Sequence, residues 1–491
     1  MTEADAGLAR GFDAEQPDLT PEERVALLGG KGAGLARMTA LGMPVPPGFT
    51  LTTRACRRYL ESGWDAALDA ALRTHLHRLE EGTGRRLGDP AAPLLVSVRS
   101  GAAISMPGML DTVLDVGATD AVAAALAAQT GDVAFARDTR ERSARSWAAV
   151  VGAPRPTEPV EQLVAAVCAV FDSWTGERAQ RYREVEGIDE SLGTAVTVQA
   201  MVFGNRGERS GTGVAFSRDP STGAPGPVGD FLAGAQGEDV VDGTRSTERL
   251  DALARRWPDV WAELVAVTAR LEHELDDAVD VEFTVEEGRL WILQARRAKR
   301  SPLAELRIAI DLADDPTFDL DHGGAVARCR HLLDGDGRWS GAVGAPDDGA
   351  DVIAAGLAAA PGRAVGVLCT DVDRAVALEA EGADVVLARR ETSPADVRGM
   401  AAAVGLVTSV GGLVSHAAVV ARSWGLPAVV GAADLVLHDG DGVEGPGGRL
   451  TEGEVVTVDG DGGRLLRGAH PSAGAVPAEL EVLRRWAAEL A

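Results

Sequence analysis

The chain has 491 residues, 45% hydrophobic and 25% charged, which is long for a single core, so two or three globular domains are expected. A formal net charge of −26 argues against nucleic acid or an anionic membrane as the main partner, because both require a basic surface. No apolar run is long enough to span a bilayer, the start Met1-Thr2-Glu3-Ala4-Asp5 is acidic where a signal peptide is basic, and the scattered Cys56, Cys168, Cys329 and Cys369 suggest neither a zinc site nor a disulfide framework; the expected location is the cytoplasm.

In chain order, Gly29-Gly30-Lys31-Gly32-Ala33-Gly34 reads as a glycine-rich turn entering a helix, with Lys31 at its mouth. Such a turn lets backbone approach a phosphate while the ammonium adds charge, although the spacing is not that of a P-loop and its Ser/Thr is missing. Lysine occurs only at Lys31 and Lys299, and both lie in candidate motifs; chance survival is the alternative. A helix from about 53 to 79, broken near Gly63, follows. The strand pattern 94–101 then delivers Arg99 into the small, flexible loop 102–109, a common setting for phosphate ligands. Helical patterns fill about 121–187, and their arginines Arg137, Arg140, Arg142 and Arg145 read mainly as a solvated basic face.

Residues 194–203 and 212–218 read as a hairpin across 204–207. A second hairpin joins 279–285 to 290–296, with Asp280, Glu282 and Thr284 on one face and Leu290, Ile292, Gln294 and Arg296 on one face of the partner strand. Acidic residues and an amide on adjacent strands suit Mg²⁺ while the arginine meets a phosphate oxygen; a solvent-facing hairpin accounts for the spacing equally well. Residues 301–349 hold one amphipathic helix, 303–312, and then a Gly- and Asp-rich connection. Short strands around helices lead to a strand at 403–408, a Gly411-Gly412 turn and Ser415 in the position of a helix N-cap, which puts His416 in the first turn. Free N–H groups and the positive end of the helix dipole favour an anion on or beside that ring, as in a phosphorylated histidine; a histidine on a capped surface helix is the plainer alternative. The chain closes with a hairpin near 453–460 and a short helix from Pro477, whose stripe Leu480, Leu483, Trp486 and Leu490 is expected to pack on its own domain.

Taken in order, Gly29-Gly30-Lys31-Gly32-Ala33, Val96-Ser97-Val98-Arg99-Ser100-Gly101-Ala102, Ser105-Met106-Pro107-Gly108-Met109, Gly211-Thr212-Gly213-Val214-Ala215-Phe216, Ala235-Gln236-Gly237-Glu238-Asp239-Val240-Val241 and Glu282-Phe283-Thr284-Val285 resemble the nucleotide-binding half of the pyruvate, phosphate dikinase family. The His416 stretch resembles that family's phosphohistidine domain. The resemblance implies an α/β (α+β) chain with an ATP-grasp domain over 1–300, a hinge over 301–350, a swivelling α/β phosphohistidine domain over 351–475 and a C-terminal helix over 476–491, without a TIM barrel. It implies a phosphotransferase in which His416 attacks the β-phosphoryl group of ATP, AMP leaves, and the γ-phosphoryl passes to phosphate as pyrophosphate. Lys31 and Arg99 would neutralise the phosphates, Glu282 and Gln294 would bind Mg²⁺ with Asp280 as a further candidate, and Arg296 would contact the transferring group. A monovalent cation and a second copy of the chain, in a homodimer, are further candidates.

The family's acceptor barrel needs about 250 residues, which the sequence after residue 460 does not hold. The phosphoryl group is therefore expected to pass to pyruvate on a separate barrel protein or to another small molecule. The family usually carries Thr where Val414 stands, and valine has no hydroxyl to be phosphorylated or to orient the ring. Two other readings stay open: a kinase like phosphoenolpyruvate synthase or rifampicin phosphotransferase that releases AMP and phosphate, and an ATP-binding regulatory protein without turnover.

Overall fold

The first long helix starts from a reciprocal cap. In the computed structural model, which describes residues 7–14, 19–104, 106, 109–241, 247–333, 351–471 and 477–490, the Thr20 hydroxyl accepts the Glu23 N–H (3.2 Å) and the Glu23 carboxylate accepts the Thr20 N–H (2.9 Å). Pro21 sits where a missing N–H costs nothing, so the helix runs Pro21–Ala40 and begins well before the glycine-rich text. That text is a break inside a helix rather than a turn ahead of one: Gly29 leaves helical geometry (φ 67°, ψ 166°), and a second helical run starts at Gly30.

The chain forms two compact units, Met1–Ser210 with Thr284–Gln294, and Gly211–Phe283 with Ala295–Ala491. In the first, an antiparallel sheet has the spatial order Ala9–Gly11, Gly48–Leu51, Ala195–Ala200, Val96–Gly101, Thr112–Val116. Phe49, Leu51, Val96, Val98, Val196 and Val198 of this sheet share a core with Leu68, Leu72, Val167 and Phe171 of the surrounding helices. Each such side chain contributes about 1.5–3 kcal/mol by leaving water. The broken helix around Gly63 is present as Thr53–Ser62 and Ala66–Thr83.

The hairpin expected between 194–203 and 212–218 does not form. Strand Ala195–Ala200 is already paired on both sides, by Gly48–Leu51 and Val96–Gly101, so it has no edge left for its neighbour in sequence. Gly211–Arg218 instead joins a second sheet, ordered Glu248–Arg249, Pro225–Ala233, Gly211–Arg218, Val279–Glu286, Arg289–Arg297. Its last two strands are the second expected hairpin. They turn through Glu287 (φ 51°) and Gly288 (φ 84°), both left-handed as the favoured two-residue hairpin turn requires.

After the helices Pro302–Asp314, His322–Arg328 and Arg330–Leu333 comes an eight-stranded sheet, ordered Val352–Ala355, Arg464–Arg467, Val455–Asp459, Arg363–Cys369, Val385–Arg389, Gly405–Thr408, Ala428–Val430, Leu357–Ala360. Its two edge strands are successive stretches of one chain separated only by Gly356, so the sheet curls until one backbone segment serves both edges. Where the chain enters and leaves the sheet, the Arg467 N–H donates to the Asp351 carbonyl (2.9 Å). Arg363–Cys369, Val385–Arg389, Gly405–Thr408 and Ala428–Val430 run parallel, joined by the helices Val372–Ala380, Val397–Ala401 and His416–Trp424.

The helix expected at 303–312 is present, followed by two short helices that were not expected; 334–350 lie outside the described residues. The C-terminal helix Ala478–Glu489 buries Leu480, Leu483 and Trp486 against Leu306, Ala309, Ala325 and Val326 of those helices, not against the eight-stranded sheet, and Leu490 stays 60% exposed. An apolar stripe specifies burial without naming the partner. Among the described residues no helix is long and apolar enough to cross a membrane.

Two glycines test the helix break. Gly29 and Gly42 share a φ near +70°, but a Cβ on Gly42 meets open space whereas one on Gly29 collides with the Gly101 carbonyl oxygen. Gly42→Ala should cost about 1–2 kcal/mol, and Gly29→Ala at least about 2 kcal/mol more, read as a shift in urea midpoint at constant slope. Equal costs would show that the Gly29–Gly101 approach is not held in solution.

Candidate active site

The first unit gathers two cations from separate motifs. Gly29 fits against the Gly101 carbonyl only because it lacks a Cβ, and the Gly30 N–H donates to the Ala102 carbonyl (3.0 Å). A Cβ on Gly101 would stand 3.2 Å from Lys31 Cβ. The glycines therefore bring Lys31 against the end of strand Val96–Gly101, which carries the half-buried Arg99 in register with Thr197 and Thr112. Of the loop that follows, Ser105, Pro107 and Gly108 lie outside the described residues, while Met106 is buried with Trp174 and Ala179. Arg140 and Arg142 pair with Asp120 (2.7 Å) and Asp138 (2.9 Å). Gln294, half-buried, also belongs to this unit.

In the second unit Asp280 and Arg296 face each other. Both Asp280 carboxylate oxygens accept from Arg296 Nε (2.8 and 3.0 Å), and Arg296 Nη2 lies 4.0 Å from Glu282. Burial pushes the Asp280 carboxyl up, against the pull of Arg296. Burial lowers the Arg296 guanidinium, but Asp280 and Glu282 outweigh it and the net direction is up. Asp280 is thus committed to orienting Arg296, whereas Glu282, with 30% of its side chain exposed, is the carboxylate more open to a cation.

His416 stands where the parallel strands end, the side of an α/β sheet on which loops and helix N-termini gather. Strand Gly405–Thr408 leads to the turn at Gly411 (φ 114°), the Ser415 hydroxyl caps the helix by accepting the Ala418 N–H (3.4 Å), and His416 is the first helical residue. The adjacent strand Val385–Arg389 leads to Thr392, whose Oγ1 lies 3.0 Å from His416 Nδ1. The Thr392 loop is braced by Asp396, which accepts the Ser393 N–H and O–H (2.8 Å each) and lies 3.2 Å from Arg389 Nε. Burial lowers the His416 pKa, opposed by the charge of Asp396, so the neutral ring prevails at pH 7.

The loop before His416 is held from within the second sheet. Asp230, 1% exposed on strand Pro225–Ala233, accepts the Val414 N–H (3.0 Å) and lies so close to Gly412 that any side chain there would collide with it. Val414 itself packs with Val214, Phe216, Leu232, Ala235 and Val240. Arg422, on the same helix as His416 and 1% exposed, donates to the carbonyls of Leu413 (2.6 Å) and Ala359 (3.1 Å). Burial brings its pKa down to about 10, with Asp219, Asp230 and Asp280 opposing. Thr392, Asp396 and Asp230 belong to no motif read from the sequence, and Arg422 ends the His416 stretch without a role read for it; for the Thr392 loop the one available signal was the capping pattern from Ser393 to Asp396.

Two family models match the chain: pyruvate phosphate dikinase, AMP/ATP-binding domain, over residues 25–73 and 62–258, and PEP-utilising enzyme, mobile domain, over 381–463. Pyruvate, phosphate dikinase 2 of Zea mays is 41% identical over 517 residues, covering 94% of this chain and 58% of that protein. The chain belongs to the pyruvate, phosphate dikinase family. The chloroplastic pyruvate, phosphate dikinase 1 of Oryza sativa subsp. japonica is 41% identical over 516 residues (94% of this chain, 54% of that protein), and the pyruvate, phosphate dikinase of Rhizobium meliloti (strain 1021) is 40% identical over 523 (94% and 58%). The chain spans a little over half the length of these relatives. Lys31, Arg99 and Asp230 fall in the first matched domain of the dikinase family, Thr392, His416 and Arg422 in the second, and the Asp280–Arg296 hairpin between the two.

The Arg422 network predicts a large stability effect. Arg422→Met removes the donor to two buried carbonyls and the cation balancing Asp230, so it should destabilise by about 3–5 kcal/mol, as when one partner of a buried charge pair is deleted. Chemical denaturation would measure it, and a loss below about 1 kcal/mol would mean that water enters and replaces the guanidinium.

Proposed function

We propose that the chain is an ATP-dependent phosphotransferase that phosphorylates its own His416: ATP, inorganic phosphate and His416 give AMP, pyrophosphate and phospho-His416. The observation that carries the reading is the histidine itself, the first residue of a capped helix with Nδ1 in contact with Thr392 Oγ1, in a chain of this family. A neutral imidazole attacks without a general base. The Nε2 lone pair forms a bond to the β-phosphorus, the bond from that phosphorus to the oxygen shared with the α-phosphate breaks, and AMP leaves with that electron pair. Inorganic phosphate then takes the γ-phosphoryl group as pyrophosphate. Phosphoryl transfer needs positioning and charge neutralisation more than covalent help. Lys31 and Arg99 supply charge to the phosphates, and Arg296, oriented by Asp280, contacts the group in transit.

The donors fit Mg²⁺. Glu282, with 30% of its side chain exposed, could offer one carboxylate to an ion whose shell phosphate and water complete. Glu282 would hold it first, with Gln294 and Asp280 as further ligands, and bound Mg²⁺ would withdraw charge from the phosphates. We assign the nucleotide domain to 1–300 and the phosphohistidine domain to 351–475, with 301–350 between them as the hinge, and place the protein in the cytoplasm. Pyruvate, named in the relatives, is the proposed final acceptor, reached through a barrel on this or another polypeptide; a second copy of the chain is a candidate partner.

Incubation with ATP labelled at the β-phosphate, Mg²⁺ and phosphate should label the protein, release AMP and pyrophosphate in equal amounts, and fail entirely in His416→Asn. Label from the γ-position alone with ADP as product would sink the proposal, and free phosphate in place of pyrophosphate would give the γ-phosphoryl to water. Because burial lowers the His416 pKa, the fraction of neutral nucleophile falls only below the ordinary histidine range. The labelling rate should accordingly stay level from pH 8 down to about 6.5 and decline on the acid side of that, whereas a decline starting near pH 7.5 would contradict a depressed value.

A further inference from the structure

We infer that Thr50 and Thr197 are positioning residues of the phosphate site: their hydroxyls form the seat onto which the helical turn carrying Lys31 settles when nucleotide phosphates bind. This rests on the reading above that Lys31 and Arg99 neutralise those phosphates. Strand pairing in the first sheet sets Arg10 opposite Thr50, Thr50 opposite Thr197, Thr197 opposite Arg99 and Arg99 opposite Thr112. Residues directly opposite one another share a face of the sheet. Their neighbours along the strands, among them Phe49, Leu51, Val98 and Val196, line the apolar core on the other face. Alternation therefore leaves this polar row on the face against which the helix Pro21–Ala40 packs.

Two hydroxyls in the row stand out. Thr50 is 1% exposed and Thr197 fully buried, yet neither Oγ1 has a hydrogen-bond partner. Other buried polar groups on the same face are matched: the Gln199 amide donates to the Pro46 carbonyl (3.0 Å) and the Ser97 hydroxyl to the Gln199 carbonyl (3.5 Å). A buried hydroxyl without a partner is costly, and valine would fill the same shape without that cost. The two threonines make sense in a state where their hydroxyls are used. Such a state is a small movement away. Gly32, next to Lys31, lies so close to Thr50 that a Cβ on it would stand 2.6 Å from Oγ1, and the non-helical Gly29 gives the turn a joint on which to move. On its other side Lys31 abuts Gly101, two residues past Arg99. Thr50 and Thr197 thus span the interval between the Lys31 turn and Arg99. A bound phosphate draws both cations toward itself, and as they close over the row Thr50 gains the backbone of the turn and Thr197 gains the Arg99 guanidinium.

The experiment uses the full chain. Thr50→Val and Thr197→Val keep the shape of the side chain and remove the hydroxyl. Without nucleotide each should raise the urea midpoint, while the affinity for MgATP in equilibrium dialysis should weaken about fivefold, the worth of one hydrogen bond. Thr50→Ser and Thr197→Ser keep the hydroxyl and should bind MgATP within about twofold of the wild type, with no rise in midpoint. A purely structural pair would respond differently, because losing a matched hydroxyl lowers the midpoint and leaves the affinity of the folded protein unchanged. Valine variants with a lower midpoint or with wild-type affinity, serine variants that bind as weakly as the valine ones, or a wild type that does not bind MgATP would each overturn the inference. Wild-type protein that binds, shows the opposed shifts in its variants and yet takes no label on His416 would instead remove the proposed reaction and leave the seat standing, because neither measurement needs turnover.

Discussion

A single buried guanidinium fixes where His416 can be. Arg422 lies on the histidine's own helix, and its fork reaches back to the Leu413 carbonyl in the loop before the histidine and across to the Ala359 carbonyl on the edge strand, which also accepts the Ser221 hydroxyl. A charge so deeply placed is tolerable only while those acceptors and the nearby Asp219, Asp230 and Asp280 stay where they are. Any drift of the loop would leave that charge uncompensated in an apolar setting. Asp230 applies the same logic from the other side by taking the Val414 N–H. The loop before the histidine is thus held by groups that never touch the ring.

The same constraint explains the departure at Val414. Its side chain fills an apolar cluster with Phe216, Leu232 and Val240, where a hydroxyl would need a partner of its own. The neighbouring Ser415 hydroxyl is already occupied as the helix cap. Valine is therefore comfortable at this position for reasons of packing, and the orienting bond that it cannot supply comes from Thr392 on the next strand.

Local features of the sequence were legible where one element contains its own cause. The second hairpin follows from alternation and a two-residue turn, and the Ser415 cap from its place after a Gly-Gly turn. Reading failed where the cause lies in another element. Ala195–Ala200 looks like a hairpin strand until its neighbours Gly48–Leu51 and Val96–Gly101 have taken both of its edges. Thr392 lies on a different parallel strand from His416, and only the order of strands brings the two together. Lys31 and Arg99 stood out as cations; that glycines press their backbones together needed the fold.

The curled eight-stranded sheet has a consequence for how such a domain can be carried by its host chain. Its entry at Asp351 and its exit at Arg467 are one main-chain hydrogen bond apart, reinforced by an ion pair (3.0 Å) between the same two residues. A module whose ends meet asks little of the chain on either side: flanking segments can lengthen at a cost that grows only slowly with their size, and the fold between them is undisturbed. The eight-stranded sheet thus closes on itself where the chain enters and leaves it, and the segments on either side can change in length without altering it.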